Sequence, residues 1–220
     1  MVTIIKNLKK KIFITFFITI LISCISPSSV SLINCVLKKD VKKVRGEVKG
    51  IKDINLQDPE AKKAALHYSA GMGNVEITKI LLKSGADVNL KGEIGGRTPL
   101  FESLFRPRDY KPADYNEKIV DLLLKFGAKV NLKAINGQTP LMWAAAFSSV
   151  RIVKLLIEKG ADVNYGVKKE EWGKGCHNPP AIIWVTSNLK YTKSKRNYAV
   201  RKILLDAGAK EIDYYDLCDK

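Results

Sequence analysis

Histidine is scarce in this chain of 220 residues, which argues against many hydrolytic and metal-dependent enzymes. Neither of the two histidines, His67 and His177, lies near a partner in sequence that would complete a Ser/His/Asp or Cys/His catalytic set. Cys176 directly precedes His177, but a zinc site needs three or four ligands. We therefore predict a protein that is not an enzyme and that binds no metal, no other cofactor and no small-molecule substrate.

The N-terminus lacks an apolar run long enough to cross a membrane. Residues 12–22 form an apolar stretch of 11 residues, whereas a transmembrane helix takes about 20. Four lysines and no acidic residue precede this stretch, which is the charge order of a signal peptide. The stretch ends in Leu21-Ile22-Ser23-Cys24, which resembles the lipobox of bacterial lipoproteins. The resemblance implies that residues 1–23 are a signal peptide and that Cys24 carries the lipid.

Other interpretations of the N-terminus stay open. An ordinary signal cleaved between residues 23 and 29, or an uncleaved signal anchor, would also place the rest of the chain outside the cytoplasm. A second lipobox candidate ends at Cys35, but Asn34 stands where a small residue is expected. We expect a lipid-anchored protein of the bacterial cell envelope, with secretion as the alternative. An oxidising compartment permits a disulfide between Cys176 and Cys218, and one thiol is then left over.

Acidic residues are outnumbered, with 22 aspartates and glutamates against 38 lysines and arginines, for a net charge of +16. Such an excess favours an acidic protein or an anionic membrane face as partner. Nucleic acid is disfavoured, because the predicted location is extracytoplasmic and the sequence has no zinc-finger, helix-turn-helix or aromatic stacking motif. We predict two partners: another protein, with an acidic one favoured by the charge, and a membrane contacted through the N-terminal lipid anchor.

Residues 24–57 are interpreted as a tether, a basic linker behind the lipid anchor. Five apolar residues recur there at the spacing of an amphipathic helix, but Gly46 and Gly50 weaken that pattern. Lysines and Arg45 cluster in the same segment and could contact anionic headgroups. We favour a solvated spacer for this segment over a folded element.

Four apolar runs further along the chain each end in a glycine, at Gly85, Gly127, Gly160 and Gly208. A glycine in this position is typical of the left-handed terminator of a helix. Thr98-Pro99 and Thr139-Pro140 place a capping hydroxyl before a proline, as at the start of a helix, and Asp58-Pro59 is interpreted in the same way. The sequence therefore predicts repeated helix pairs.

The sequence Thr139-Pro140-Leu141-Met142-Trp143-Ala144 resembles the T-P-L-H-x-A signature of the ankyrin repeat. The resemblance implies an all-α solenoid of about four helix-turn-helix units with β-hairpin loops over residues 58–213, divided into 58–91, 92–133, 134–166 and 167–213. Residues 214–220 are a C-terminal tail. Insertions lengthen the second and fourth units, near residues 105–112 and 187–196, and His67 is expected to brace its repeat.

Ankyrin repeats bind partners with their concave surface, which implies a non-catalytic protein-binding scaffold. The alternative function is a secreted ankyrin effector that binds a host protein. Late positions on the first helices and the loop tips are the expected contacts: Met72, Arg106, Phe147, Leu90, Lys91, Leu132 and Lys133. Trp143 is expected in the core.

Overall fold

The computed structural model describes residues 27–104, 114–166, 180–191 and 194–211. The helices in these ranges are short and come in five consecutive pairs. They are α1 Pro27–Leu37, α2 Val41–Glu47, α3 Ala65–Gly71, α4 Val75–Lys83, α5 Pro99–Ser103, α6 Asp114–Lys125, α7 Pro140–Phe147, α8 Val150–Glu158, α9 Ala181–Tyr191 and α10 Lys195–Asp206. The predicted all-α repeat architecture is confirmed.

The helices form two layers that run the length of the molecule. First helices contact one another in the order α1, α3, α5, α7 and α9, and second helices in the order α2, α4, α6, α8 and α10. Each first helix also packs against its own second helix. Every repeat therefore contacts its neighbours in sequence, which is the construction of a solenoid.

Helix boundaries follow the predicted local chemistry. The hydroxyls of Thr98 and Thr139 accept the backbone N–H groups three residues on, each at 3.3 Å, and a proline opens α5 and α7. Gly85 follows the end of α4 with φ of 89°, a conformation that costs glycine little. Asp58-Pro59 does not begin a helix, as had been predicted. The Asp58 carboxylate accepts the backbone N–H groups of Glu60, Ala61 and Lys63 and closes a turn, and α3 begins only at Ala65.

One continuous hydrophobic core joins the two layers. Its large, fully buried side chains come from successive pairs: Leu32, Ile77, Leu81, Leu100, Leu104, Ile119, Leu123, Leu141, Met142, Ile152 and Leu156. Small residues lie where helices approach closely, such as Ala144 and Ala145 of α7. Burial of these side chains supplies the main driving force for folding.

The expected linker over residues 24–57 is replaced, over residues 27–47, by an additional repeat. Helix α1 packs on α3 and helix α2 on α4. Leu32, Val36 and Val44 are buried in the common core. The apolar spacing had predicted a helix here, whereas the glycines had argued against one. A helix forms despite Gly46 because this glycine lies at an exposed position, where no core contact is lost.

Loops between repeats pair through their backbones without forming strands in the described part of the chain. Gly92 N–H donates to Arg97 O at 2.9 Å, and Ala134 N–H donates to Gln138 O at 3.0 Å. Neighbouring loops are joined by Ile135 N–H, which donates to Gly95 O at 2.9 Å. The predicted β-hairpins are therefore turns in the structure, because these isolated hydrogen bonds are too few to build a β-ladder.

A repeated asparagine joins each repeat to the next. Asn89 Oδ1 accepts Lys129 N–H at 2.7 Å, and Asn89 Nδ2 donates to Gly127 O at 3.1 Å. Asn131 and Asn164 make the same two hydrogen bonds to the repeats that follow them. Asn55 accepts Asp87 N–H at 2.8 Å, so residues 27–57 follow the pattern of the later repeats.

Arg196 holds the last pair against the fourth. It was expected in an insertion, but it lies in α10. Its guanidinium donates to the carbonyl oxygens of Ala144, Ala145 and Ser148 at 3.0, 2.8 and 2.7 Å. These carbonyls close the C-terminal end of α7, where a cation also complements the helix dipole.

Candidate partner-binding surface

Three aromatic rings and an arginine form a cluster along the first helices α5 and α7. The ring centroids of Phe101 and Trp143 are 5.6 Å apart, and those of Trp143 and Phe147 are 4.9 Å apart. The guanidinium carbon of Arg97 lies 5.6 Å from the Phe101 centroid and 5.5 Å from the Trp143 centroid, within the range of cation–π attraction. We call these four residues the aromatic cluster.

The aromatic cluster runs from the core to the surface. Phe101 is buried, Trp143 is half-buried and Phe147 is 47% exposed. Trp143 was expected in the core, and it is half-buried, packed against the core while it forms the middle of this stack.

Two isoleucines are exposed on the adjacent loop tips that precede α5 and α7. Ile94 is 61% exposed and Ile135 is 74% exposed. A Cβ on Gly96 would lie 2.8 Å from Ile135 Cγ1, so the absent side chain of Gly96 makes room for Ile135. Gly96 directly precedes Arg97 of the aromatic cluster in the sequence.

The predicted contact residues have unequal exposure. Phe147 is exposed, whereas Met72, Leu90 and Leu132 are half-buried. The loop tips were predicted as the exposed segments, and Ile94 and Ile135 carry the exposed apolar surface there. Both lie within the predicted exposed tips, residues 90–95 and 132–136, although the predicted contact residues were those that open each loop.

The predicted lysines Lys91 and Lys133 already bind within the protein. Lys91 Nζ donates to Lys133 O at 2.9 Å. Lys133 Nζ lies 2.9 Å from the Tyr165 hydroxyl oxygen and 4.1 Å from the centre of its ring. Both lysines remain exposed, so their ammonium groups form a fixed cationic edge along the loops.

His67 braces its repeat, as the sequence predicted. Its Nδ1 accepts Ala64 N–H at 3.2 Å, while Nε2 lies 3.0 Å from Leu90 O and 3.1 Å from Arg97 O. Nε2 must carry the proton, because carbonyl oxygens can only accept. Burial lowers the pKa of His67 below its ordinary 6.5, since the charged ring would lose its hydration. A neutral imidazole therefore joins α3 to the following loop.

Tyr68 lies one residue further on and is fixed by Asp58. Its hydroxyl donates to Asp58 Oδ2 at 2.7 Å. Burial and this hydrogen bond raise the pKa of the Tyr68 hydroxyl. Burial pushes the pKa of Asp58 upward, but the hydrogen bonds that it accepts from Tyr68 and three backbone N–H groups outweigh burial and lower it. The pair is a structural contact between first helix and loop.

Four predicted site residues lie outside the described residues: Cys24, Arg106, Cys176 and Cys218. Cys35, from the second lipobox candidate, is a buried free thiol in α1. Within the described ranges, no group of histidine, cysteine or carboxylate side chains is arranged to hold a metal ion. The same ranges contain no helix that combines the length and apolar character needed to cross a bilayer.

Comparison with known families agrees with the arrangement of the helices. The family model for ankyrin repeats in three copies matches residues 19–110 and 112–168, more than half of the chain. The chain belongs to the ankyrin-repeat family. The match begins ahead of residue 58, in agreement with the additional N-terminal repeat. It ends before α9, although α9 and α10 pack on the preceding pair in the same manner.

Two curated proteins share sequence with this ankyrin-repeat chain. The E3 ubiquitin-protein ligase Ufd4 of Drosophila melanogaster is 38% identical over 84 residues, which are 38% of this chain and 2% of that protein. The fowlpox virus (strain NVSL) protein named as ankyrin repeat protein FPV230 is 31% identical over 123 residues, which are 45% of this chain and 65% of that protein. The aligned part thus covers less than two thirds of either relative. Ankyrin repeats are generally non-catalytic and typically mediate protein–protein contacts.

Proposed function

We propose that this protein is a non-catalytic scaffold that binds another protein through the aromatic cluster and the isoleucine tips. The single observation that carries the proposal is the exposed end of the cluster, where Phe147 stacks on a half-buried Trp143. Aromatic side chains that are rigid before binding lose little freedom on association, and they often dominate interface energies. Phe147 is therefore the proposed anchor.

Charge around the cluster favours a partner segment with a carboxylate beside an apolar side chain. Arg97 is held in place by two aromatic faces, and the lysine edge formed by Lys91 and Lys133 runs along the same loops. Two carboxylates of this region are paired with lysines, Glu102 with Lys63 at 2.9 Å and Glu93 with Lys62 at 3.3 Å. Cations held in advance attract acidic partners and speed their association.

Position-specific photo-crosslinking tests which surface binds. A photoreactive phenylalanine analogue is placed at Phe147 or Ile135, and at Lys79 or Lys154 on the second helices as matched exposed controls. We expect one protein adduct, of the same mass, from both Phe147 and Ile135. An adduct obtained only from the control positions would overturn the proposed surface.

We further propose that Cys24 anchors this scaffold to a bacterial envelope membrane. The support is the order of lysines, apolar stretch and lipobox-like sequence at residues 1–24. Labelled palmitate should enter the wild-type protein but not the Cys24→Ala variant. Unlabelled wild-type protein recovered from the medium would favour the secreted alternative, in which the same surface binds a host protein.

A further inference from the structure

The outward side of the second-helix layer carries a row of cations toward its N-terminal end. Exposed lysines and arginines occur at helical spacing on three successive second helices: Lys42, Arg45 and Lys49 around α2, Lys79 and Lys83 on α4, and Lys118 and Lys125 on α6. The spacing of three or four residues in the first two sets, and of seven residues between Lys118 and Lys125, places each set on one helix face. Because α2, α4 and α6 pack side by side, the sets form one surface, which we call the basic outer stripe.

Few carboxylates neutralise the basic outer stripe. Arg45 pairs with Glu76 at 2.8 Å and Lys125 pairs with Asp121 at 2.7 Å. In the described part of the chain, the other five members have no carboxylate oxygen within ion-pair distance: Lys42, Lys49, Lys79, Lys83 and Lys118. The stripe therefore keeps a net positive charge over three consecutive repeats.

Charge at one outer position, two residues before the glycine that follows each helix, changes toward the C-terminal end. Glu158 and Asp206 occupy, on α8 and α10, the positions that Lys83 and Lys125 occupy on α4 and α6, counted back from the glycine that follows each helix. At the position that Lys79 occupies on α4, α8 and α10 carry Lys154 and Lys202, so the second-helix layer stays basic toward its C-terminal end. Helix α1 begins at Pro27, three residues after Cys24, so the N-terminal repeat follows the proposed lipid site with almost no spacer.

We propose that the basic outer stripe binds the surface of an anionic bilayer and holds the solenoid with its aromatic cluster facing away from the membrane. The exposed stripe positions are lysines and arginine, and Phe126, 40% exposed, directly follows Lys125 at the end of α6. A single partly exposed ring at the border offers little of the aromatic surface that anchors protein interfaces or stacks on nucleic-acid bases. A lipid surface requires charge but no shape complementarity, which suits a row of unpaired lysines on adjacent helices. The proposal goes beyond protein binding at the cluster, and it uses the proposed Cys24 anchor only for the orientation of the solenoid.

Vesicle co-sedimentation of the full chain tests the stripe directly. The triple variant Lys42→Gln, Lys49→Gln, Lys79→Gln is compared with the control triple variant Lys129→Gln, Lys159→Gln, Lys210→Gln, which removes equal charge from exposed positions outside the stripe. Vesicles of phosphatidylcholine alone and with phosphatidylglycerol are used at low salt. The measured quantity is the partitioning of the protein onto the anionic vesicles divided by its partitioning onto the neutral vesicles. A ratio is used because the apolar N-terminal stretch contributes to binding in both cases.

We expect the stripe variant to lose roughly 100-fold in this ratio and the control variant to change it by less than about fivefold. Raising the salt concentration should reduce the wild-type ratio toward that of the stripe variant. Equal losses in both variants would mean that only net charge matters and would overturn the stripe. An unchanged ratio in the stripe variant would do the same. This ratio depends on neither palmitate labelling of Cys24 nor crosslinking at Phe147. The lipid anchor, the partner-binding surface and the basic outer stripe can therefore be disproved separately.

Discussion

At the scale of single residues, one asparagine side chain per repeat joins neighbouring loops by hydrogen bonds. Asn131 accepts Asp162 N–H at 3.0 Å and donates to Gly160 O at 2.9 Å. Each such side chain satisfies a helix-end carbonyl and a loop N–H in the next repeat, both of which lack a partner within their own helix. The asparagines therefore fix the spacing of neighbouring repeats at the loop edge.

Asn131→Ala should lower the free energy of unfolding by about 1–2 kcal/mol, because two hydrogen bonds between repeats are lost. Asn34→Ala serves as the control, since Asn34 is exposed on α1 and should change stability by no more than about 0.5 kcal/mol. Urea unfolding followed by circular dichroism measures both. A loss in Asn34→Ala as large as that in Asn131→Ala would contradict the role of the asparagine bridges.

His67 gives the fold a pH dependence of known sign. Its pKa in the folded state lies below the ordinary 6.5 of the unfolded chain, so the unfolded state takes up a proton first as the pH falls. The free energy of unfolding should therefore decrease as the pH drops below about 6.5, until the folded-state pKa is passed. Asp58, whose folded-state pKa lies below 3.8, contributes only at still lower pH.

The urea midpoint should be lower at about pH 5.5 than at about pH 7.5, and this difference should shrink in His67→Gln. His177→Gln controls for the other histidine and should keep the wild-type difference. A pH difference that survives unchanged in His67→Gln would show that another group is responsible.

Residue patterns predicted the capping threonines, because a cap depends on a few neighbours in sequence. The role of His67 came from the resemblance to ankyrin repeats, since its partners Leu90 and Arg97 lie 23 and 30 residues further along the chain. The sequence also predicted exposed loop tips at residues 90–95 and 132–136, which contain Ile94 and Ile135, but it did not single out these two isoleucines as contacts. The exposure of a loop residue depends on how the next loop packs, here through the contact of Ile135 with Gly96. Such contacts join different repeats, and the sequence of one repeat does not contain them.

At the scale of elements, the N-terminal helix pair shows where the repeat pattern becomes hard to see. It has no Thr-Pro start, and Ile51 stands where later repeats have the terminal glycine. Lys43 replaces the apolar residue that occupies the matching position in later repeats, such as Ile77, and its side chain is exposed to water. The sequence did contain one sign, since Asp53-Ile54-Asn55-Leu56 parallels Asp87-Val88-Asn89-Leu90.

Leu32→Ala tests whether this pair is part of the folded solenoid. Leu32 is fully buried, so its truncation should cost about 2–5 kcal/mol of unfolding free energy. Leu37→Ala is the matched control in the same helix, because Leu37 is 45% exposed, and it should cost less than about 1 kcal/mol. If both variants unfold at the wild-type urea midpoint, residues 27–47 do not contribute to the core.

At the scale of the whole molecule, stacking determines both stability and function. Each repeat contacts only its neighbours, so the two layers present two long and chemically different surfaces. The first-helix side carries the aromatic cluster, and the second-helix side carries the basic outer stripe. A solenoid built in this way can bind a protein on one side while the other side remains available for a second contact.

The most direct test of the proposed scaffold is the affinity of the crosslinked partner, once purified, for surface variants of the full chain. Phe147→Ala should weaken binding by about 10- to 30-fold, as expected when an interface anchor is truncated. Lys154→Ala, an equally exposed change on the second-helix side, should leave the dissociation constant unchanged. Wild-type affinity in Phe147→Ala together with weakened binding in Lys154→Ala would contradict the account.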